Sequence, residues 1–310
     1  MKNNNKEENI DTNRRRQWQH FKPIPSVLLR TPTLPKAADL SLICFTLLIQ
    51  SAVGLVFAGT IGHWLEGTVP TYMAVRTTAL ALGLVVIGLV AALTHLSSLQ
   101  RAPHALRNPA ASWLSREVLL VPLFALALAL TLAAHGLGNS TTLVVLECTA
   151  LCLGSAALWA MTGVYLIKTV PAWNTSATIL EFIGSALLLG GAISMTLSFL
   201  EKAFGWEPAF VVAAGGMCLG LLLKFVAVRP GIAAEHLACV RLWYPPPAMV
   251  MSAAQSRVTR LVLNGMGIGF VIAGGARDFQ LETFTGLFIL FAAEAAGRLR
   301  FYRLYGRIGL

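Results

Sequence analysis

Long apolar segments, each about the length that a helix needs to cross a bilayer, follow one another along most of this chain. The hydrocarbon core is roughly 30 Å thick, so a helix that rises about 1.5 Å per residue spans it with about 20 mostly apolar residues. Eight such segments can be delimited, at about residues 40–60, 72–95, 117–135, 142–167, 178–199, 208–228, 257–276 and 281–300. The sequence therefore predicts an all-α polytopic membrane protein, a bundle of about eight transmembrane helices.

The composition agrees with a chain whose natural solvent is lipid. Hydrophobic residues make up 56% of the 310 residues and charged residues only 12%, whereas a soluble domain averages about 25% charged residues. So few charges could not cover a water-facing surface, which excludes an ordinary soluble enzyme. The net charge of +10 falls on terminal segments and loops, so nucleic acid is not an expected partner.

Residues 1–38 differ from the rest of the chain and are predicted to form a polar, basic N-terminal arm, followed by an eight-helix transmembrane anchor domain at 39–310. The arm contains Arg14, Arg15 and Arg16, and consecutive arginines can mark an export signal. The apolar stretch begins more than twenty residues later and is long enough to span the bilayer, which favours a retained arm over a cleaved signal. Two longer connections, 96–116 and 229–256, contain prolines and are predicted to be loops.

The distribution of basic residues predicts the orientation. With an even number of helices, both termini lie on one side, and 21 of the 24 Lys and Arg residues would lie on that side. Only Arg76, Lys202 and Arg277 would lie on the other. Because positive charge marks the cytoplasmic side, both termini are predicted to be cytoplasmic.

Ionisable residues in membrane segments are costly and usually functional, and here they converge at one end. Four carboxylates fall at the predicted cytoplasmic ends of their helices, namely those of Asp39, Glu117, Glu181 and Glu294, and His95 ends the second helix on that same side. Structural explanations stay open: a carboxylate at a helix N-terminus stabilises the helix dipole, and Glu294 and Arg298, spaced i,i+4, could form an ion pair.

Cysteine and histidine positions do not favour a metal centre. The five cysteines form no C-x-x-C pair, whereas an iron–sulfur cluster needs about four thiolates with characteristic spacings. Of the six histidines, only His95 ends a predicted helix on the polar side. The sequence therefore predicts that this chain itself holds no haem, no iron–sulfur cluster and no other metal.

Three segments carry a resemblance to a known family. Residues 94–117 read T-H-L-S-S-L-Q-R-A-P-H-A-L-R-N-P-A-A-S-W-L-S-R-E, residues 164–175 read V-Y-L-I-K-T-V-P-A-W-N-T, and residues 294–302 read E-A-A-G-R-L-R-F-Y. The first resembles the loop between helices two and three of dimethyl sulfoxide reductase membrane anchor subunits, including the spacing from His95 to Glu117. It departs from that family at Ser97 and Leu99, where the family has Gly and Pro.

The resemblance implies a non-catalytic anchor in the bacterial inner membrane that oxidises menaquinol during anaerobic respiration. It also implies two partners, a four-cluster iron–sulfur subunit and a molybdopterin catalytic subunit. His95, Arg101 and Glu117 would bind the quinol: an imidazole with a pKa near neutrality accepts or orients a proton, a carboxylate takes one up, and Arg101 stabilises developing negative charge. Three further residues would hold these quinol-binding side chains in position, namely Glu181, Glu294 and Arg298.

Three alternatives remain. A secondary transporter would have discontinuous helices and charges near the bilayer midplane, whereas the charges here lie at one end. A purely structural anchor would have no quinone site of its own. The anchor of a related molybdoenzyme would serve another terminal acceptor or donor, which an anchor sequence cannot identify.

Overall fold

The fold is a bundle of helices, as expected for a protein that must satisfy its backbone hydrogen bonds without water. A computed structural model describes residues 37–66, 71–94, 108–136, 140–200, 208–241, 247–277 and 279–304. These residues form eight α-helices and no strand. The helices are α1 (Ala37–Glu66), α2 (Thr71–Thr94), α3 (Trp113–His135), α4 (Ser140–Tyr165), α5 (Ser176–Leu200), α6 (Pro208–Arg241), α7 (Pro247–Ala276) and α8 (Gln280–Arg303).

Seven of these helices, α1 to α7, are long and apolar enough to cross a membrane. The eighth, α8, has 24 residues, which is enough to span about 30 Å, but it is more polar. Its inner side chains include Glu294 and Arg298, both buried in the bundle. These two charges therefore face protein rather than lipid, and the architecture is the polytopic all-α bundle that the sequence predicts.

Helices α1 and α5 form the centre of the bundle. Helix α1 packs against α2, α4, α5, α6 and α8, and α5 packs most extensively on α6 and α1. Their backbones touch where Gly54 meets Gly190: a Cβ added at Gly54 would lie 1.8 Å from the carbonyl oxygen of Ala186, and one at Gly190 would lie 2.1 Å from the carbonyl carbon of Gly54. Small residues allow such close approach between helices in lipid.

Two predicted boundaries are wrong, because the segment 229–256 is mostly helical. Helix α6 continues through Pro230 to Arg241, and α7 begins at Pro247. The stretch after Pro230 contains good helix formers, and Glu235 within it is buried against basic side chains, so tertiary contacts stabilise the extension. Proline at the first helical position costs little because the N–H it lacks has no intrahelical partner there.

The remaining predicted boundaries differ by a few residues. Helix α1 extends to Glu66 rather than 60, and α3 starts at Trp113 rather than 117. Ser112 caps α3, its hydroxyl accepting a hydrogen bond from the Ser115 backbone N–H at 3.3 Å. Of the predicted arm, residues 1–36 lie outside the described part of the chain, while Ala37 and Ala38 belong to α1.

Candidate functional site

Buried charged side chains concentrate at one end of the bundle. The end in question is where α3 and α5 begin, where α8 ends, and where the second half of α6 meets the first half of α7. Among the described residues, this end holds five of the six buried charged side chains, namely Glu117, Lys224, Glu235, Glu294 and Arg298. Because a buried charge is costly unless it is paired, the partners of these groups define the candidate site.

Lys224 on α6 is fully buried and is the centre of the polar contacts. Its Nζ donates to Glu294 Oε2 at 2.7 Å, to Glu181 Oε2 at 3.1 Å and to Ser185 Oγ at 2.9 Å. All three N–H groups of the ammonium therefore have an acceptor. The lysine can reach α5 because Gly184 has no side chain: a Cβ there would lie 3.1 Å from Lys224 Cγ.

Two carboxylates, Glu181 and Glu235, extend these contacts toward the bundle surface. Glu181 also pairs with Arg257 at 3.3 Å and with Arg260, both on α7. Glu235 on α6 pairs with Arg257 at 2.8 Å and accepts a hydrogen bond from Arg300 on α8 at 2.7 Å. We call this group the Lys224 network; its members are Glu181, Ser185, Lys224, Glu235, Arg257, Arg260, Asn264, Glu294 and Arg300.

The Lys224 network joins four helices through charge-assisted bonds. Asn264 on α7 donates from Nδ2 to Glu294 Oε1 at 2.8 Å, so Glu294 contacts residues of α5, α6 and α7. A buried ion network of this kind is costly to form but more costly to break at one member. It therefore fixes how α5, α6, α7 and α8 meet at this end.

Arg298 connects the Lys224 network to a group of aromatic rings. Its Nη2 donates to Gln50 Oε1 at 2.9 Å and to Ser185 Oγ at 3.4 Å. Its guanidinium lies over the ring of Phe182, 3.6 Å from the centroid, a cation–π geometry. The rings around it form what we call the aromatic cluster: Tyr165, Trp173, Phe182, Phe301 and Tyr302.

Two of the three family-like segments pack directly on each other in this cluster. Trp173, from 164–175, stacks on Phe301, from 294–302, with centroids 5.1 Å apart, and its Nε1 donates to the Phe301 carbonyl at 2.8 Å. The hydroxyls of Tyr165 and Tyr302 are 3.2 Å apart, and Tyr302 also donates to Thr46 Oγ1 at 3.3 Å. Segments that are 128 residues apart in sequence thus build one surface of the site.

Glu117, from the third segment, lies beside this surface. It is the fifth residue of α3, 6% exposed, and it is close enough to Tyr165 and Tyr302 to interact with both electrostatically. No side chain in the described part of the protein donates a hydrogen bond to its carboxylate. A buried carboxyl without a partner is unusual and is available to a ligand.

The other predicted site residues fall into two groups. His95 and Arg101 lie outside the described residues, just after the end of α2 at Thr94. Glu181, Glu294 and Arg298 are brought together, all touching Ser185 or Lys224. The i,i+4 ion pair of Glu294 with Arg298, one of the structural alternatives, is not formed, because Glu294 binds Lys224 instead while Arg298 contacts Gln50 and Phe182.

Sequence reasoning missed the residue at the centre of the site. Lys224 stands within an apolar run, L-L-L-K-F-V-A-V at 221–228, and a lone lysine inside a spanning segment is the signal that could have identified it. Glu235 was missed because 229–256 was predicted to be a loop, where helix faces cannot be assigned. Arg257 and Arg260 stand at the start of the segment predicted at 257–276 and were counted only among the basic residues that indicate the orientation. Tyr165 and Tyr302 carried no signal apart from the family resemblance.

Potential metal ligands do not come together in the described ranges. No group of three or more His, Cys, Asp or Glu side chains in these ranges is placed so that it could hold a metal ion. The four cysteines whose side chains are described, Cys44, Cys148, Cys152 and Cys218, are free thiols.

The opposite end of the bundle has a smaller polar site. His63 on α1 contacts Glu147 on α4 at 3.0 Å, and a cavity of about 50 Å³ beside them is lined by hydroxyls that include Thr60, Thr131 and Ser198. A volume of this size holds a few water molecules, at about 10–15 Å³ each by this measure. Its size and hydroxyl lining suit bound water, and none of its lining residues belongs to the Lys224 network.

Comparison with known proteins places this arrangement in a family. The model of the DMSO reductase anchor subunit family (DmsC) matches residues 36–304. YnfH, a subunit of an anaerobic dimethyl sulfoxide reductase of Escherichia coli (strain K12), is 26% identical over 283 residues, covering 87% of this sequence and 95% of that protein. The C subunit of the anaerobic dimethyl sulfoxide reductase of Haemophilus influenzae (strain ATCC 51907 / DSM 11121 / KW20 / Rd) is 27% identical over 286 residues, covering 88% and 96%. With the match extending over all eight helices and all three motif segments, the chain belongs to the DMSO reductase anchor subunit (DmsC) family.

Proposed function

We propose that this anchor subunit oxidises menaquinol at a site formed by Glu117 with His95 and Arg101, and passes the electrons to an iron–sulfur partner subunit. A molybdopterin subunit of the same complex then reduces the terminal acceptor. The protein would lie in the bacterial inner membrane with both termini cytoplasmic. The observation that carries the proposal is the buried carboxyl of Glu117, which lies near the tyrosine pair and has no hydrogen-bond donor among the described side chains.

The chemistry requires a proton acceptor that lipid alone cannot supply. Oxidation of a quinol to a quinone releases two electrons and two protons. Glu117 would take up one proton, and His95 would orient or accept the other, since general bases act from within hydrogen-bond reach of the proton they remove. Arg101 would stabilise the negative charge that develops on the quinol oxygen. The electrons would leave to a cluster of the partner, since the sequence predicts no metal centre in this subunit.

The residues predicted to support the site would act by positioning. The guanidinium of Arg298 lies over the ring of Phe182 on α5 and near that of Phe301 on α8. These contacts would position the aromatic cluster. The Lys224 network fixes the ends of α5 and α8 in turn, through Glu181 and Glu294. Both groups would therefore position Phe182 and Phe301, the rings that pack on Tyr165. A secondary transporter is less well supported, because each described helix is continuous, whereas transporter sites use broken ones.

A matched pair of carboxyl variants tests the proposal. Glu117→Gln keeps the volume but removes the proton acceptor. Glu147→Gln makes the same change at a residue of equal exposure, 6%, at the other end of the bundle. Quinol-driven turnover per assembled complex should fall by about 10²–10⁴-fold in Glu117→Gln, the usual contribution of a general base, and should stay near normal in Glu147→Gln.

Turnover with a soluble artificial electron donor distinguishes loss of quinol oxidation from loss of complex assembly. That route bypasses the membrane, so it should be unaffected in both variants. If Glu117 only stabilises the start of α3, the glutamine variant would instead show less complex in the membrane with normal quinol oxidation per complex. Normal per-complex quinol oxidation in Glu117→Gln would overturn the assigned site.

A further inference from the structure

A groove between α7 and α8 adjoins the Lys224 network on its outer side. It has a volume of about 320 Å³. Its lining has a polar part, formed by Ser256, Thr259 and Arg260, and an apolar part, here called the apolar floor, formed by Leu263, Ala296 and Gly297. A lining that is polar in one part and apolar in the other matches an amphiphile rather than a wholly polar ligand.

The groove opens toward lipid. On α7, Val258 and Val262 are 51% and 56% exposed. They lie one residue before and three residues after Thr259, which lines the groove. On α8, Phe288 is 74% exposed. Large apolar side chains at this exposure in a spanning helix face the hydrocarbon, so a molecule in the groove would lie alongside acyl chains.

Basic side chains outnumber carboxylates in and beside the part of the Lys224 network that adjoins the groove. Among the described side chains, the carboxylates of Glu181, Glu235 and Glu294 contact or adjoin five basic side chains: Lys224, Arg257, Arg260, Arg298 and Arg300. Of these five, Arg260 lines the groove itself, whereas Arg300, whose Nε is buried and lacks a hydrogen-bond acceptor within the described ranges, lines a neighbouring pocket of about 40 Å³ that also contains Arg260. Buried cations without enough anions are costly, so a further anion at Arg260 would stabilise this part of the network.

The Arg260 guanidinium is placed at the groove by a glycine. A Cβ added at Gly297 would lie 2.2 Å from Arg260 Nη1, so any other residue at 297 would displace the guanidinium. The side chain is 14% exposed, which leaves it within reach of a ligand. Arg260 can therefore bind Glu181 on one side and an anion in the groove on the other.

We propose that this groove binds the phosphate headgroup of an anionic phospholipid, with one acyl chain along the apolar floor. Basic pockets between transmembrane helices near a membrane surface recognise such headgroups. The apolar floor and the opening to lipid favour a phospholipid over an acidic segment of a partner protein. The site is separate from the proposed quinol site, and neither proposal depends on the other.

Lipid retention by two groove variants tests the site. The complex, purified in mild detergent and stripped of lipid, would be titrated with phosphatidylglycerol or phosphatidylcholine. Binding would be followed by native mass spectrometry and by the midpoint of thermal unfolding. Wild type should bind and be stabilised by phosphatidylglycerol only. Ala296→Phe, which fills the floor from an exposed position, and Arg260→Gln should each weaken that binding by about tenfold or more, as expected for loss of a charge-assisted hydrogen bond or of the space for the ligand.

Two control variants match these changes. Ala292→Phe adds the same ring one turn earlier on α8, at an exposed position outside the groove, and Arg277→Gln removes an arginine that is 69% exposed at the other end of the bundle. Both should bind phosphatidylglycerol as wild type does. Equal stabilisation by inorganic phosphate would assign the site to a free anion, and displacement of the lipid by a short-chain quinone would assign it to quinone. Either result, or undiminished binding in Ala296→Phe, would overturn the proposal.

Discussion

Replacing Lys224 by methionine should destabilise the bundle more than any other single change at this end. The ammonium makes bonds of 2.7 Å to Glu294 and 3.1 Å to Glu181, and its side chain is 0% exposed. Glu181 keeps its partners Arg257 and Arg260, so most of the cost falls on Glu294. That carboxylate would keep only the neutral donors Ser185 and Asn264. Removing one member of a buried ion pair costs about 3–5 kcal/mol.

The same reasoning predicts a rescue. Glu294→Gln in the Lys224→Met background removes the uncompensated charge, so the double variant should recover much of the loss. Lys168→Met, at an exposed lysine between α4 and α5, is the matched control and should be close to wild type. The assay is the fraction of complex that remains folded and monodisperse in detergent after heating. A Lys224→Met variant as stable as Lys168→Met, or a double variant less stable than the single one, would refute the assignment of Lys224 as the ion that Glu294 requires.

Three further predictions concern the helix arrangement, the charge distribution and the absence of a metal centre. Alkaline phosphatase fused after Leu310 should be inactive and a fluorescent protein there should fluoresce, because 21 of 24 basic residues lie on the side of the termini and mark it as cytoplasmic; active phosphatase would reverse the orientation. Gly190→Ala should reduce folded protein in the membrane, since its Cβ would lie 2.1 Å from the backbone of Gly54 and overpacking costs about 1–3 kcal/mol. Gly215→Ala, with nothing within 4 Å, should be neutral or slightly stabilising. The purified subunit should show no Soret absorption and no stoichiometric iron, and a Soret band would contradict the prediction that it holds no haem.

The positions of the helices could be predicted from the sequence wherever hydrophobicity alone defines a helix. Each predicted segment corresponds to one observed helix, because about 20 apolar residues admit few other structures in lipid. The exception is the region around Pro230, where α6 continues as a more polar helix to Arg241. That extension is stabilised by ion pairs of Glu235 with Arg257 and Arg300, which come from other helices and leave no local pattern in the sequence.

The candidate site was less predictable, since it depends on contacts between distant segments. The sequence placed Glu181, Glu294 and Arg298 at one end of the bundle, and the structure brings them together there. The sequence could not reveal that Lys224 lies between the carboxylates of Glu181 and Glu294, because that contact depends on the close approach of α5 and α6 at Gly184 and Gly220. The roles of His95 and Arg101 stay a prediction from the family resemblance.

The most direct test of the central claim, that this subunit passes electrons from quinol to its partner, is the rate at which quinol reduces the partner's iron–sulfur clusters. A reduced menaquinol analogue would be mixed with the complete complex and, in parallel, with the partner subunits lacking the anchor, and cluster reduction would be followed by electron paramagnetic resonance after rapid freezing. We expect rapid reduction in the complete complex, slow reduction in the complex with Glu117→Gln, and none without the anchor, while a soluble low-potential dye reduces the clusters in all three. Equal reduction by quinol with and without the anchor would contradict it.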